Sequence, residues 1–347
     1  MKIVMMGTGP FAVPTFQALL QDGHDIPLLV TRPIVMGKGK KAPPASPMRI
    51  VGQENGIQIF DPASINTELA IEKLASYQAD LLVVCDYGQI LSNDALATTR
   101  LGGINLHGSL LPKYRGAAPV QWCVYSGDPQ TGVSVIHMTP RLDGGPLIAV
   151  AQTPIEDHET AETLEIRLSE MGVASVRQAI TALENWDGQS ALGQLQDSSL
   201  VTKAPRLNKR MSEIDWQRSA VEIRNQIRAF QPWPGSFTTI QKQNANPLRL
   251  IVDWVEIVSD PQFKQRIQAT DGPETSSAAI QIVDANDRAP GMIVVAGKDF
   301  AWVQTGNGIL SLERLQPAGK RIMAIGEILR GYPLQSGTQF SSPNLAT

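Results

Sequence analysis

An asparagine and a histidine two positions apart, with an aspartate further along the chain, are the residues best suited to chemistry here. Asn105 and His107 alternate with Ile104 and Leu106, and residues two apart on a strand share a face. An amide and a protonated imidazole can both donate to an oxygen that gains negative charge. Asp143, set between glycine-rich turns, would favour the charged form of His107, orient it and move protons. The three side chains therefore predict a site that stabilises an oxyanion.

No covalent nucleophile belongs to this trio, so the pattern predicts direct acyl transfer between two bound substrates. The chain has two cysteines, Cys85 in an apolar run and Cys123 in an expected helix. They lack metal-ligand spacing, so we predict neither a catalytic thiol nor a metal site. An isolated Asn-x-His or Asp-Gly is more often a hydrogen-bonded turn, and the surrounding motif must decide between the two interpretations.

Length and charge bound the possibilities. A chain of 347 residues is expected to form two domains. Its net charge of −3 gives no overall signature of nucleic-acid binding, so any RNA contact must come from local patches. The N-terminus lacks a long apolar stretch with a cleavage site, and no later segment is apolar for the length of a membrane span. We expect a cytoplasmic protein.

The first half alternates short apolar runs with helical periods, which predicts an α/β fold with a doubly wound, mostly parallel, Rossmann-like sheet. Such sheets bind ligands beyond the carboxyl ends of their strands. Strands are expected at 3–6, 26–31, 57–60, 81–85, 104–107 and 131–138, and helices at 46–55, 64–76, 119–126 and 160–183.

The first turn also allows an interpretation from another class of enzyme. Gly7-x-Gly9 follows the first expected strand, as in dinucleotide-binding sites. Ala12 stands where the motif needs glycine, and no acidic residue closes the second strand convincingly. A hydride-transfer enzyme therefore remains only a competing interpretation.

The second half has a different composition. Residues 187–203 are rich in Gln, Ser and Asp, which predicts a linker ending near Leu207. Short strand candidates at 248–252, 292–295, 300–304 and 309–312 predict a small, open β-barrel. The polar stretch 259–289 is expected to be a surface excursion. The predicted organisation is a catalytic domain at 1–190, a linker at 191–206, a second domain at 207–335 and a tail at 336–347.

Several motifs resemble those of formyltransferases that use 10-formyltetrahydrofolate. Asn105, His107 and Asp143 carry the resemblance, together with Ser109-Leu110-Leu111-Pro112 and Arg115-Gly116-Ala117-Ala118-Pro119. Segments of the second domain resemble the members that formylate methionyl-tRNA, and this resemblance implies an OB-like, tRNA-binding barrel at 207–335. The resemblance implies formyl transfer from 10-formyltetrahydrofolate to initiator methionyl-tRNA, by a monomer without a metal. The first domain alone leaves an amino-sugar nucleotide or glycinamide ribonucleotide open as acceptor. A non-catalytic RNA-binding protein is the alternative from another class.

The resemblance also implies roles for further residues. Ile90, Leu91, Ser109, Leu110, Leu111, Pro112 and Asp143 would form the folate pocket. Lys38, Lys40 and Lys41 stand in a loop that would wedge into the tRNA acceptor arm, and Lys209, Arg210, Lys320 and Arg321 would face phosphates. The chain departs from the family at Lys38, where Arg is common, and at Gly7-Thr8-Gly9-Pro10-Phe11, where Gly-Thr-Pro-Asp-Phe is usual. It also departs at Asp86, where many relatives have Ala.

Overall fold

The protein is described from a computed structural model, for residues 1–34, 44–188, 190–242, 245–259, 261–263, 265, 281–332 and 334–343. The chain divides into two compact units. The first contains Met1–Cys123, Pro129–His158 and Thr163–Arg206, and the second contains Val124–Asp128, Glu159–Glu162 and Leu207–Thr347. Each unit is considered separately.

A mixed sheet forms the centre of the first unit. In chain order its elements are β1 (Lys2–Met6), α1 (Val13–Gln21), β2 (Asp25–Val30), α2 (Pro47–Glu54), β3 (Gln58–Phe60), α3 (Glu68–Ala75), β4 (Leu81–Cys85), α4 (Asn93–Leu96), β5 (Gly103–His107), β6 (Arg115–Gly116), α5 (Pro119–Ser126), β7 (Gln130–His137), β8 (Leu147–Pro154), α6 (Ala161–Glu184) and β9 (Lys203–Ala204). The ends of α5 and α6 reach into residues of the second unit.

The strand order in this sheet is β3-β2-β1-β4-β5-β7-β8. The first five strands along the order pair in parallel, and β7 and β8 pair antiparallel. The central strands β1 and β4 are apolar and almost wholly buried, which is typical of parallel strands covered on both faces. The predicted doubly wound, mostly parallel sheet is confirmed, and the antiparallel β8 is an addition to the prediction.

The order of these strands reverses between β1 and β4. From β1 the chain proceeds outward to β2 and β3, and it then returns to the other side of β1 to form β4 and β5. The carboxyl ends of β1 and β4 therefore leave a crevice, because the connections that follow them run in opposite directions. This geometry predicts where the ligand site of the first unit lies.

An antiparallel sheet organises the second unit. Its elements are α7 (Ala220–Ala229), β10 (Phe237–Lys242), β11 (Ala245–Val258), β12 (Gln281–Ile282), β13 (Ile293–Ala296), β14 (Ala301–Gln304), β15 (Ile309–Pro317), β16 (Met323–Ala324) and α8 (Ile325–Gly331). The order is β10-β11-β15-β14-β13-β12, with β16 on β15. In the described part of this unit β10 and β12 do not pair with each other, and residues 337–341 form hydrogen bonds both to β10 and to residues 291–293. The predicted β-rich second domain is confirmed.

Residues 191–206 differ from the prediction of a linker. They belong to the first compact unit, and β9 pairs in parallel with β6. The amide of Tyr114 donates to Oγ1 of Thr202 at 2.8 Å, and Trp122 Nε1 donates to the carbonyl of Pro205 at 2.7 Å. The segment resembled a linker in the sequence because its polar residues dock through hydrogen bonds. Such contacts produce no periodic pattern of hydrophobic residues.

No helix in the described ranges has the length and apolar character needed to cross a membrane.

Candidate active site

A cavity of about 480 Å³ lies in the first unit at the reversal of strand order. Its size is within the range of about 300–1,000 Å³ usual for small-molecule sites. Residues that follow the carboxyl ends of β1, β2, β4 and β5 line it, as does the loop between β7 and β8. The chemistry-bearing members of the lining are Thr8, Arg32, Asp86, Gln89, Asn105, His107, Gln121, Arg141, Asp143, Glu165 and Arg206.

Asn105 and His107 both line this cavity. The strand β5 holds them, with Asn105 paired to Val84 of β4 and to Ile136 of β7. His107 is buried, with 6% of its surface exposed. Its Nε2–H donates to the carbonyl of Tyr114 at 2.9 Å, which fixes the ring and leaves Nδ1 as the nitrogen that faces the carboxylate of Asp143.

The carboxylate of Asp143 lies beside the imidazole. Its Oδ2 is 3.8 Å from Nδ1 of His107 and accepts a 2.8 Å hydrogen bond from the amide of Gly116. A separation of 3.8 Å is longer than a hydrogen bond, so a protonated Nδ1 stays available to an oxygen of a ligand. The structure thus brings the three side chains predicted to be catalytic to one cavity.

Left-handed backbone conformations concentrate around this site. Among the described residues, four non-glycine residues have positive φ, and two of them, Asp86 at 48° and Asp143 at 47°, line the cavity. A third, Tyr114 at 63°, supplies the carbonyl that holds His107. Such conformations cost on the order of 1–3 kcal/mol each and persist where surrounding contacts enforce them. The site is therefore built at the expense of some backbone stability.

Gln196 is a positioning residue that sequence reasoning missed. Its Nε2 donates to the carbonyls of Asp143, at 2.8 Å, and Gly145, at 2.7 Å. Its Oε1 accepts from the guanidinium of Arg115 at 2.6 and 3.1 Å. One amide side chain thus ties the Asp143 loop to the strand β6. No motif marks a single glutamine in a polar segment, so the sequence carries no signal for it.

Replacing Gln196 with alanine is expected to lower kcat about tenfold, because a loosened Asp143 loop misplaces its carboxylate relative to His107. Steady-state kinetics with saturating substrates measures the effect. Gln194→Ala is the matched control, since Gln194 is exposed and pairs with Leu147 through backbone atoms alone. Equal activity of Q196A and Q194A would show that Asp143 needs no support from this segment.

The segment that follows β4 forms one wall of the cavity. Ile90 and Leu91, both predicted to contact folate, line it. Gln89 fixes the wall by accepting from the amide of Ile65 at 2.9 Å, and Asn66 donates to the carbonyl of Ile90 at 2.8 Å. Ile90 is 56% exposed. The wall therefore presents apolar surface that is held in place by hydrogen bonds behind it.

Asp86 is a second carboxylate on the cavity, and the sequence marked it only as an unusual residue. Burial raises its pKa to about 6, an effect partly offset by the Gly9 amide, which donates to it, and by the charge of Arg32. The contact with Gly9 leaves no room for a side chain, because a Cβ there would lie 1.8 Å from Oδ2 of Asp86. The glycine at position 9 and the aspartate at position 86 thus require each other.

Four residues predicted to bind folate lie elsewhere. The described lining of the cavity does not include Ser109, Leu110, Leu111 or Pro112. Ser109 is fully buried and donates to the carbonyl of Lys113 at 2.8 Å, while the Leu111 amide donates to Ser134 at 3.1 Å. These contacts shape the turn after His107. Direct folate contact by these four residues stays a prediction.

Four of the residues predicted to bind tRNA lie in the described part of the second unit. Lys38, Lys40 and Lys41 lie outside the described residues. Lys209, Arg210, Lys320 and Arg321 are exposed on the second unit. The guanidinium of Arg321 pairs with the carboxylate of Glu327 at 2.8 Å, which raises the pKa of Arg321. Compared with the pair that contains Arg321, Lys209 and Arg210 are therefore the better candidates for contacts with tRNA phosphates.

The described residues contain no group of three or more His, Cys, Asp or Glu side chains placed to hold a metal ion.

The fold and the site define a class of protein. The formyl transferase model matches residues 1–180, and the model for the C-terminal domain of formyl transferases matches residues 206–333. The chain belongs to the formyl transferase family, and it is an enzyme of that family. The predicted membership is confirmed, and a hydride-transfer enzyme is no longer a competing interpretation.

One relative carries a more specific name. A methionyl-tRNA formyltransferase from Rhodopirellula baltica is 45% identical over 351 residues, which span 99% of this chain and 97% of that protein. The match includes both domains, so the resemblance seen in the sequence is confirmed over its full length.

Solved structures share the fold at low identity. HypX from Aquifex aeolicus, in complex with tetrahydrofolic acid, has a TM-score of 0.58 at 11% identity, over 94% of this chain and 46% of that chain. This chain thus spans about half the length of HypX. An N-formyltransferase from Helicobacter canadensis, in complex with folinic acid and dTDP-3-aminofucose, has a TM-score of 0.56 at 15% identity, over 90% of this chain and 98% of that chain. These structures establish the fold alone.

Proposed function

We propose that this chain transfers the formyl group of 10-formyltetrahydrofolate to the amino group of methionyl-tRNA, the initiator form in particular. The observation that carries the proposal is the meeting of Asn105, His107 and Asp143 on one cavity in a chain of the formyl transferase family. The acceptor follows from the relative at 45% identity, whose name specifies methionyl-tRNA. Because the scheme uses residues of one chain only, we propose that the protein acts as a monomer. We propose the cytoplasm as its location.

The cavity fits a folate donor by the chemistry of its walls. Ile90 and Leu142 line it and expose about half of their side chains, which suits a flat aromatic ring. Asn105, His107 and Asp143 supply the polar groups for the reacting end. When bound, 10-formyltetrahydrofolate supplies an activated formyl carbon on a nitrogen that leaves.

Each catalytic side chain has a distinct task in this scheme. Asn105 Nδ2 and protonated His107 donate to the formyl oxygen as it gains negative charge. Asp143 holds a negative charge 3.8 Å from the imidazole and keeps the cationic form favourable. The same pair moves the proton from the attacking nitrogen to the nitrogen that leaves. Formyl transfer then needs no covalent intermediate with the protein.

We further propose that residues 207–335 bind the tRNA, while residues 1–190 carry out catalysis with the help of 191–206. The match of residues 206–333 to the C-terminal domain of formyl transferases supports this division. Folate contact by Ile90 and Leu91 belongs to the same proposal.

The function is tested by offering the purified protein 10-formyltetrahydrofolate with one of four acceptors. These are methionyl initiator tRNA, methionyl elongator tRNA, an amino-sugar nucleotide and glycinamide ribonucleotide. Formylation of methionyl initiator tRNA at the highest kcat/KM is expected. Preferential formylation of either small acceptor would overturn the proposal, and tRNA binding without turnover would leave a non-catalytic RNA-binding protein.

Changing Lys209 and Arg210 together to alanine is expected to raise KM for tRNA about tenfold at low salt. It should reduce the slope of log(kcat/KM) against log(salt) by about 1–2, because each phosphate contact releases counterions. Activity measured from 50 to 200 mM salt tests this. Lys298→Ala, an exposed lysine of the same unit, is the control. An unchanged slope in the double variant would place the tRNA elsewhere.

A further inference from the structure

We propose that Asp86 binds the ammonium group of the acceptor and removes its first proton, which makes Asp86 a second catalytic carboxylate. This inference rests on the proposed function and extends it. Asp86 lines the cavity that holds Asn105, His107 and Asp143. The other catalytic carboxylate, Asp143, is committed to His107 and to the amide of Gly116.

Strand register places Asp86 beside the reacting centre. Cys85, the last residue of β4, pairs with Leu106 of β5. Asp86 and His107 are the next residues on two adjacent parallel strands, whose backbones lie about 4.8 Å apart. On the other side, the amide of Thr8 donates to the backbone carbonyl of Asp86 at 3.0 Å. The backbone of Asp86 therefore lies next to that of His107, and both residues line the same cavity.

Asp86 contacts the turn that follows β1, and its carboxylate can still bind a cation. Its carboxylate accepts from the amide of Gly9, and the backbone there is glycine because a Cβ would meet Oδ2 at 1.8 Å. One backbone donor leaves further acceptor positions on the two carboxylate oxygens. An ammonium group offers three N–H donors and a positive charge, and it matches an accessible carboxylate on the cavity that has lone pairs to spare.

The chemistry needs a neutral amine, and in this chain Asp86 is placed to act as the base. An α-ammonium group carries no lone pair and cannot attack a carbonyl carbon. The Asp86 carboxylate accepts one proton from it: an N–H bond breaks, an O–H bond forms and the amine becomes neutral. The amine then forms the new C–N bond, the bond between the formyl carbon and the leaving nitrogen breaks, and the second proton passes to that nitrogen. Asp86 finally releases its proton to water.

The electrostatic surroundings support a base that works near neutral pH. Burial raises the pKa of Asp86 to about 6, and Arg32 is the charged side chain that lowers it. The other charged or titratable side chains on the cavity are His107, Arg141, Asp143, Glu165 and Arg206, with the buried Tyr87 and Cys85 next to Asp86 in the chain. A carboxyl that is ionised above about pH 6 can accept a proton from an α-amino group, whose usual pKa is about 7.7–8.0.

Asp86→Asn separates this role from a structural one. Asparagine keeps an oxygen for the Gly9 amide but carries no charge and accepts no proton. We expect kcat/KM for methionyl initiator tRNA to fall about 10²-fold at pH 7. The deficit should shrink as the pH rises to 9, where the free amine is already neutral. The affinity for tetrahydrofolate, measured by titration calorimetry, should stay within a few-fold of the wild type, which also verifies that the variant folds.

Asp80→Asn is the matched control. Asp80 precedes the opposite end of β4 and accepts a 2.8 Å hydrogen bond from the amide of Lys2, but it lies outside the cavity lining. Its loss should leave the pH profile unchanged. In the wild type, kcat/KM should decline as the pH falls through about 6, whereas in Asp86→Asn the decline should begin at higher pH, near the pKa of the acceptor amine, about 7.7–8.0.

Three results would overturn the inference. A deficit of equal size at every pH would show that Asp86 only supports the turn at Gly9. A large loss of tetrahydrofolate affinity in Asp86→Asn would show that the carboxylate binds the donor. A wild-type protein that formylates none of the four acceptors would overturn the proposed function and this inference together, whereas the first two results leave the proposed function intact.

Discussion

Replacing His107 with alanine is expected to lower kcat roughly 10³-fold, because the change removes both an oxyanion donor and a proton carrier. The affinity for tetrahydrofolate and KM for tRNA should change by less than about threefold, since the binding walls at Ile90 and the basic residues of the second unit are untouched. Rates under single-turnover conditions separate the chemical step from product release. The side chain is buried, so thermal denaturation of the variant should accompany the kinetics.

His137→Ala is the control for this experiment. His137 ends the adjacent strand β7, donates from Nε2 to the carbonyl of Leu101 at 2.9 Å and lies outside the cavity lining. It shares with His107 a position on a strand and one backbone hydrogen bond, but not the neighbouring carboxylate. Parallel losses of kcat in the two variants, or a loss of tRNA affinity as large as the loss of kcat, would contradict a catalytic role for His107.

Much of the catalytic geometry could be predicted because it depends on local rules. The alternation around Asn105 and His107 defines a strand face, and both side chains do line one cavity. The carboxyl end of β4, predicted as a pocket wall, contributes Ile90 and Leu91. The strand face follows from local periodicity, whereas the strand order that creates the crevice is seen only in the structure.

Other parts of the site depend on contacts between distant segments, which no local rule describes. Gln196 reaches the Asp143 loop through side-chain hydrogen bonds over 50 residues, and neither residue type nor spacing announces it. Ser109–Pro112 follow the catalytic strand, and the resemblance to formyltransferases assigned them to the folate pocket. The chain instead turns them toward Ser134 and Lys113, because the buried backbone groups of that turn need partners.

The substitution Asp143→Asn is expected to lower kcat by roughly 10²- to 10³-fold with little change in structure. In the wild type the amide of Gly116 donates to Oδ2 of Asp143 at 2.8 Å. Asparagine still offers an oxygen to this amide, so the loop keeps its anchor. The negative charge 3.8 Å from Nδ1 of His107 is lost, and the imidazole no longer gains from becoming cationic. Single-turnover kinetics at saturating folate measures the cost of that charge.

Asp143→Ala removes both the hydrogen bond to the Gly116 amide and the negative charge. Comparing it with Asp143→Asn separates the contributions of these two features to kcat. We expect the alanine variant to lose a further factor of about ten, since a free loop misplaces the groups around the formyl carbon. Asp22→Asn, which breaks the surface pair with Arg177 at 2.7 Å, is the control for loss of a carboxylate and should keep full activity. If Asp143→Asn retained more than a third of the wild-type kcat, the carboxylate would serve only to hold the loop through Gly116.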